Sequence, residues 1–181
     1  MKKKFDPNRT GHFVNWQQNV GYHLEFTGIK NGFLGSQTPH YRIQLNQKHP
    51  LRFLFEDGSS IMPANCSPTD QGTIRPFFVR RWINKDRFLL GFLFHDSAYS
   101  TGGFWFRANK DTEWAWLDVT RFQADALLRT MCQCDIVPCG WWKANLIWTG
   151  VRFGAWFAWR GNEPRGENPN GWIEEKPMEG D

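Results

Sequence analysis

No stretch of this 181-residue chain offers the ~20 consecutive apolar residues that a membrane-spanning helix needs. The most apolar segment, WWKANLIWTGVRFGAWFAWR, has only 16 residues between Lys143 and Arg160, and Arg152 interrupts them. A transmembrane anchor is therefore not expected. Nor does an apolar run follow MKKKFDPNRT, so we expect no secretory signal peptide. Cysteine is sparse. Cys66, Cys132, Cys134 and Cys139 are too few to staple a chain of this length and lack the paired C-x₂-C spacing of a structural zinc site. They read as ordinary, partly buried thiols. Internal repeats are missing as well, which sets aside solenoid and propeller architectures.

The aromatic residues are unevenly chosen: 11 Trp and 16 Phe stand against 3 Tyr. Large aromatics bury much area per residue, and each Trp brings an N–H that needs a partner or an interface. Charge is uneven too. Residues 161–181 hold six acids and two bases, so residues 1–160 carry +8 of the overall +4. A basic body suits anionic partners.

Along the chain, residues 1–19 read as a polar arm. VGYHLEF, HYRIQLN and LRFLFEDG are strand-like, being rich in Val, Ile, Tyr and Phe and bounded by turn residues, and QLNQKHPLRF reads as a hairpin turn. Residues 59–76, SSIMPANCSPTDQGTIRP, read as a long loop punctuated by proline and glycine. The second half is helical. A helix is expected over 86–99, apolar nearly all round and hence buried, with Gly102 and Gly103 stopping it before a connector. Thr120 and Gln123 have capping-box spacing, so a second helix should run from there to about Cys134. A third should open at Pro138 and run to Arg160, its tryptophans either packed in a core or lying on a membrane or a partner protein. Residues 161–181 have the composition of a flexible acidic tail. The expected fold is α+β: a small antiparallel sheet followed by three helices, in a single domain over 1–160.

The stretch FLFHDSAY concentrates the chemistry. On a helix His95 and Tyr99 share a face, while Asp96 is turned by about 100° and addresses a different neighbour. In the next helix QADALL sets Asp125 between Phe122 and Leu128, and a carboxylate among apolar neighbours is costly unless paired. Antiparallel packing of these two helices would let His95, Tyr99 and Asp125 satisfy one another. A buried carboxylate holding one imidazole nitrogen fixes the tautomer and leaves the other nitrogen to take a proton. Asp96 could then ligate a hard cation such as Ca²⁺. The bland alternative is a His–Asp–Tyr network that only fastens two helices.

The order HDSAY followed by QAD resembles the dyad of the secreted and parvoviral phospholipases A-two. That resemblance implies His95 as general base, Asp96 as calcium ligand, and Asp125 with Tyr99 as support. The glycine-rich calcium loop of those enzymes has no counterpart here. Over residues 50–160 the order EDGSSIMPANCSPTDQGTIRP, FLFHDSAY, RFQADALLRTM, WTGVRFGAW is similar to a family of unknown function encoded by tailed bacteriophages and prophages. Pro63, Thr69, Asp70, Gly72, Ile74, His95, Asp96, Tyr99, Asp125, Val151, Arg152 and Gly154 carry it. Asn65, Cys66, Thr73 and Arg75 depart from its pattern. The resemblance implies a phage protein located in the virion or in the infected host cytoplasm. It also draws attention to Asp70: facing Asp96, it would give two carboxylates for one cation; otherwise it makes a local turn.

Three functions are compatible with these residues. One is a cation-assisted ester hydrolase acting on lipid. Another is a non-catalytic virion or accessory protein whose partners are other phage structural proteins. The third is a metal phosphohydrolase drawing on His23, His40 or His49, although that class is helical throughout and these histidines lie in strand-like sequence. Arg80, Arg81, Lys85 and Arg87 beside Trp82 form a basic cluster, but no zinc-finger or RNA-binding signature accompanies them, so nucleic acid is not the expected partner.

Overall fold

A computed structural model of the chain describes residues 5–31, 37–70, 88–134, 139–154, 159 and 161–172. The basic cluster at Arg80–Arg87, Gly72, Thr73, Ile74 and Arg75, and both expected ends of the third helix (Pro138 and Arg160) lie outside them. The fold is α+β, with antiparallel sheets followed by three helices. Among the described residues, eight strands form two sheets. β1 (Gly11–Val14), β4 (Arg52–Phe55), β5 (Ser60–Met62), β7 (Gly103–Arg107) and β8 (Ala115–Asp118) make a five-stranded antiparallel sheet in the order β1-β4-β5-β7-β8. β2 (Tyr22–Asn31), β3 (Gln37–Leu45) and β6 (Pro68–Thr69) make a three-stranded one in the order β2-β3-β6.

Several expectations change at this level. Residues 1–19 do more than form an arm: β1 pairs with β4, and Phe5 is buried in the core. The turn after QLN does not close a hairpin, because β3 belongs to the small sheet and β4 to the large one. Asn46 holds that crossover, donating to the Val20 carbonyl at 2.7 Å and accepting from the Lys48 amide at 2.9 Å. The loop expected over 59–76 contains β5 and β6, and the connector after Gly103 is the β7–β8 hairpin. Period-two alternation was hidden there by Trp and Phe on both faces of one strand, GFWFR. Residues 161–172 are attached to the body: the Gly161 amide donates to the Tyr99 carbonyl at 3.0 Å, and the Asn170 side chain brackets the Trp114 backbone.

The helices are α1 (Leu89–Thr101), α2 (Arg121–Cys134) and α3 (Trp141–Gly154). α1 is buried all round apart from Leu89 and Asp96, as its unbroken apolar character requires. It ends at Gly102, whose positive φ of 80° lets its amide reach back to the Ala98 carbonyl at 2.8 Å. α2 opens on the capping box: the Gln123 side chain accepts from the Thr120 amide at 2.8 Å, and Thr120 Oγ1 accepts from the Gln123 amide at 3.3 Å. α1 and α2 pack antiparallel. Gly91 faces Leu128, Met131 and Cys132, whereas Tyr99, two turns on, meets Arg121 and Asp125. Glycine at 91 permits this approach, since a Cβ there would lie 3.1 Å from Leu128 Cδ1.

Two apolar clusters hold the elements together. The larger joins the five-stranded sheet to α1 and α2 through Phe53, Phe55, Phe94, Phe104 and Leu127. The smaller joins the three helices through Phe92, Leu128, Cys132, Ala144 and Ile147. All four cysteines are free thiols. No described helix is long and apolar enough to cross a membrane.

Candidate active site at the helix junction

Asp125 is the centre of the junction. It is 0 % exposed, on the inner face of α2. Its Oδ1 accepts from Tyr99 Oη at 2.5 Å and lies 3.1 Å from His95 Nε2; its Oδ2 accepts from Arg152 Nη1 at 3.1 Å, with Arg121 Nε 3.8 Å away. Arg121 Nε also donates to the Tyr99 oxygen at 3.1 Å, and its Nη2 donates to the Arg152 carbonyl. A buried carboxylate so surrounded has its lone pairs filled, which is what lets it remain ionised away from water. Burial pushes the Asp125 pKa up, but the hydrogen bonds from His95, Tyr99 and Arg152 outweigh it and hold the pKa below the usual carboxylate value.

His95 is 5 % exposed and stacked on Tyr99, with ring centroids 4.1 Å apart and an interplanar angle of 34°. Because Asp125 can only accept, Nε2 carries a proton and donates it. Nδ1 points toward Asp96, 3.6 Å from its Oδ1. Burial disfavours the imidazolium, yet the two carboxylates prevail and raise the pKa above its ordinary value. Tyr99 is raised as well, first by burial and then by Asp125, against a smaller lowering by Arg121. Trp159 stands edge-on to the Tyr99 ring at 5.1 Å and 79°, closing that side.

Asp96 addresses a different neighbourhood, as its rotation on the helix requires. Its Oδ2 accepts from Thr69 Oγ1, on β6, at 2.6 Å. Burial raises its pKa and the negative charge of Asp70 adds to that, opposed by His95 and Thr69. Asp70, half-buried just after β6, is therefore near enough to act on Asp96, and both also act on His40. His40 is lowered by burial and by Lys30 despite them.

The structure thus brings His95, Asp125 and Tyr99 into one bonded network and sets Asp96 and Asp70 on its other side. For a hard cation the donor chemistry fits in kind: two carboxylates and the Thr69 hydroxyl, all oxygen, with like-charge repulsion that a cation would relieve. Among the described residues, no group of three or more His, Cys, Asp or Glu side chains is arranged to hold a metal ion. The phosphohydrolase ligand set is not assembled among them either. His23 is exposed on β2, His49 lies in the crossover between the sheets, and His40, on β3, feels Asp70 and Asp96.

Sequence reasoning overlooked Arg121, and it named Arg152 and Thr69 chiefly as carriers of the phage resemblance, with no place in the site. A signal for the first existed, since Arg121 precedes Asp125 by four residues on one helix face. The second was visible as the lone cation deep in an apolar segment. It also missed a groove of about 620 Å³ on the outer face of the five-stranded sheet, lined in part by Arg52, Arg107, Trp114 and Trp172. Compared with known protein families, characterised proteins and solved structures, the chain matches none.

Proposed function

We propose that the chain is an ester hydrolase of the phospholipase A-two kind, acting on lipid with His95 as general base. The observation that supports this most directly is the 3.1 Å contact of His95 Nε2 with Asp125 Oδ1, which leaves Nδ1 on the side of Asp96. Asp125, held by Tyr99 and Arg152, fixes the ring orientation and the tautomer. In the neutral imidazole Nδ1 then has the lone pair that takes a proton from an attacking water, and Nε2–H stays on Asp125 while the proton moves. Tyr99 and Arg121 keep Asp125 ionised through that step, so the imidazolium that forms is stabilised where it stands. Asp96 and Asp70 would hold a calcium ion, which when bound polarises the ester carbonyl and stabilises the oxyanion. The phage resemblance would have such an enzyme act in a virion or in the infected host cell.

A second reading has a specific observation behind it. His95 is nearly closed off and has a carboxylate beside each nitrogen, the arrangement of an imidazolium that ties α1 to α2 and to β6. In that case the chain is a non-catalytic virion or accessory protein.

Fatty-acid release from mixed anionic and zwitterionic vesicles, with calcium and with chelator, separates the two for wild type and His95→Ala. Calcium-dependent release that is lost in a still-folded His95→Ala supports the hydrolase. Absence of release from wild type, together with a large fall in the melting temperature of His95→Ala, refutes it and leaves the fastening.

A further inference from the structure

We propose that the outer stripe of α3 is a docking surface for the headgroup region of an anionic lipid bilayer. Ala144, Ile147 and Val151 turn α3 inward, onto Phe92, Leu128 and Cys132. At about 100° per residue, Trp142, Leu146 and Phe153 fall within about 40° of one another on the other side. They are 73 %, 36 % and 78 % exposed, so the apolar stripe faces solvent and not the core. Phe122, 53 % exposed on α2, lies beside it, with the Arg152 guanidinium 5.3 Å from its ring centroid. Single exposed apolar residues are ordinary; three large ones along one stripe of a helix, with a fourth on the neighbouring helix against Arg152, mark an interaction surface.

The form and charge of this surface select the occupant. The stripe runs along a convex helix, spread over about 16 Å from Trp142 to Phe153 at the α-helical rise. A soft, planar phase can receive such a ridge, and Trp rings are suited to the boundary where apolar chains meet water. α3 contains no acidic residue and carries Lys143, which is exposed, and Arg152. α2 adds Arg121 and Arg129, and its single acid, Asp125, is sealed inside. Arg121 and Arg152 are set against Asp125, so among the described residues of α2 and α3 the charges offered outward to an anionic surface are Lys143 and Arg129, within a body of +8 over residues 1–160. The placement deepens the hydrolase reading and rests on it for its purpose. Arg152, next to Phe122, also donates to Asp125 at 3.1 Å, so docking through this face would set the His95 network one side chain away from the lipid.

Binding is read without turnover, by sedimentation with vesicles of three parts phosphatidylcholine to one of phosphatidylglycerol and with pure phosphatidylcholine, in chelator. The full chain should bind the mixed vesicles, bind the neutral ones more weakly, and lose affinity as salt is raised. Trp142→Ser with Phe153→Ser should lower partitioning on the order of tenfold, without lowering the melting temperature, because both side chains are in solvent. Lys143→Gln should weaken binding to the mixed vesicles alone. Failure to sediment with either vesicle, or binding untouched in the double variant, would overturn the assignment. So would a concentration-dependent dimer abolished by the double variant, which would make a second copy the occupant. Vesicle binding with no fatty-acid release removes the hydrolase and supports the surface. Release from dispersed short-chain ester without vesicle binding does the reverse.

Discussion

Replacing Tyr99 by phenylalanine removes a single oxygen, and what that costs measures how far Asp125 depends on its ring of donors. The lost bond is 2.5 Å long, fully buried and made to a carboxylate, the class worth about 1.5–3 kcal/mol. Stacking on His95 and the edge contact with Trp159 survive, since both belong to the ring. Asp125 is not orphaned either, because His95 and Arg152 remain on its two oxygens. Arg121 loses an acceptor at 3.1 Å but is part-exposed and stays 3.8 Å from Asp125, so water and the carboxylate limit that loss. The sum is about 2 kcal/mol. For a chain of this size that lowers the melting temperature by about 4–8 °C. Asp125→Asn is harsher: it takes the buried counter-charge from Arg152, which water reaches only in part, and one of two from His95, costing about 3 kcal/mol. In that background Tyr99→Phe should cost less than about 1 kcal/mol, because the hydroxyl no longer serves a charge. Thermal unfolding followed by circular dichroism reads all four corners of the cycle. A Tyr99→Phe shift within about 1 °C, or additive losses in the double variant, would refute the claim that Tyr99 acts through the Asp125 charge.

Three further outcomes follow from individual contacts. Asp125 has a folded-state pKa below its ordinary value of 3.8, so its contribution is present above about that pH and is lost as pH falls through the folded pKa. The gap in urea midpoint between wild type and Asp125→Asn should accordingly be full from about pH 6 to 5, shrink above about 6.5 as His95, whose pKa Asp125 helps to raise, loses its proton, and begin to close below about 4; a gap unchanged at low pH would contradict the lowered pKa. Ser97→Ala leaves the buried Ala64 amide without the oxygen that accepts its hydrogen at 2.9 Å, which should cost about 1–3 kcal/mol and speed exchange of that amide; unchanged protection would show another acceptor. Gly103→Ala puts a Cβ 2.3 Å from the Leu117 carbonyl oxygen, so β7 and β8 must part; a loss of about 1–3 kcal/mol with faster exchange along the hairpin is expected, and a neutral variant would mean that this register is wrong.

Where a local rule and the tertiary fold agree, the sequence was legible. The capping box set the start of α2, and an all-round apolar run with glycine after it set both the burial and the end of α1. The costliness of a lone acid in QADALL was enough to pair Asp125 with His95 and Tyr99 before any coordinates. Strands β5 to β8 were not legible. β5 and β6 have three and two residues, too short for a period to show, and β7 is aromatic on both faces because a helix packs one side and the chain around Arg165 covers the other, where the carbonyl of that residue accepts from Trp105 Nε1 at 3.2 Å.

The partial reading of the site has the same physical origin. Pattern arguments find partners on one element or on two that are consecutive, so they supplied α1 and α2 and a neutral-looking triad. Arg152 comes from α3, across a separate apolar cluster, and only the folded chain shows that it completes Asp125. That changes what the acid is for. Held by His95 and Tyr99 alone, it would be a support for one imidazole; with Arg121 and Arg152 on its second oxygen it is the point where three helices meet. Truncating Arg152 should therefore loosen α3 as well as disturb His95. If α3 docks on lipid and His95 is the base, as proposed, the bond from Arg152 to Asp125 would link that surface contact to the orientation of His95.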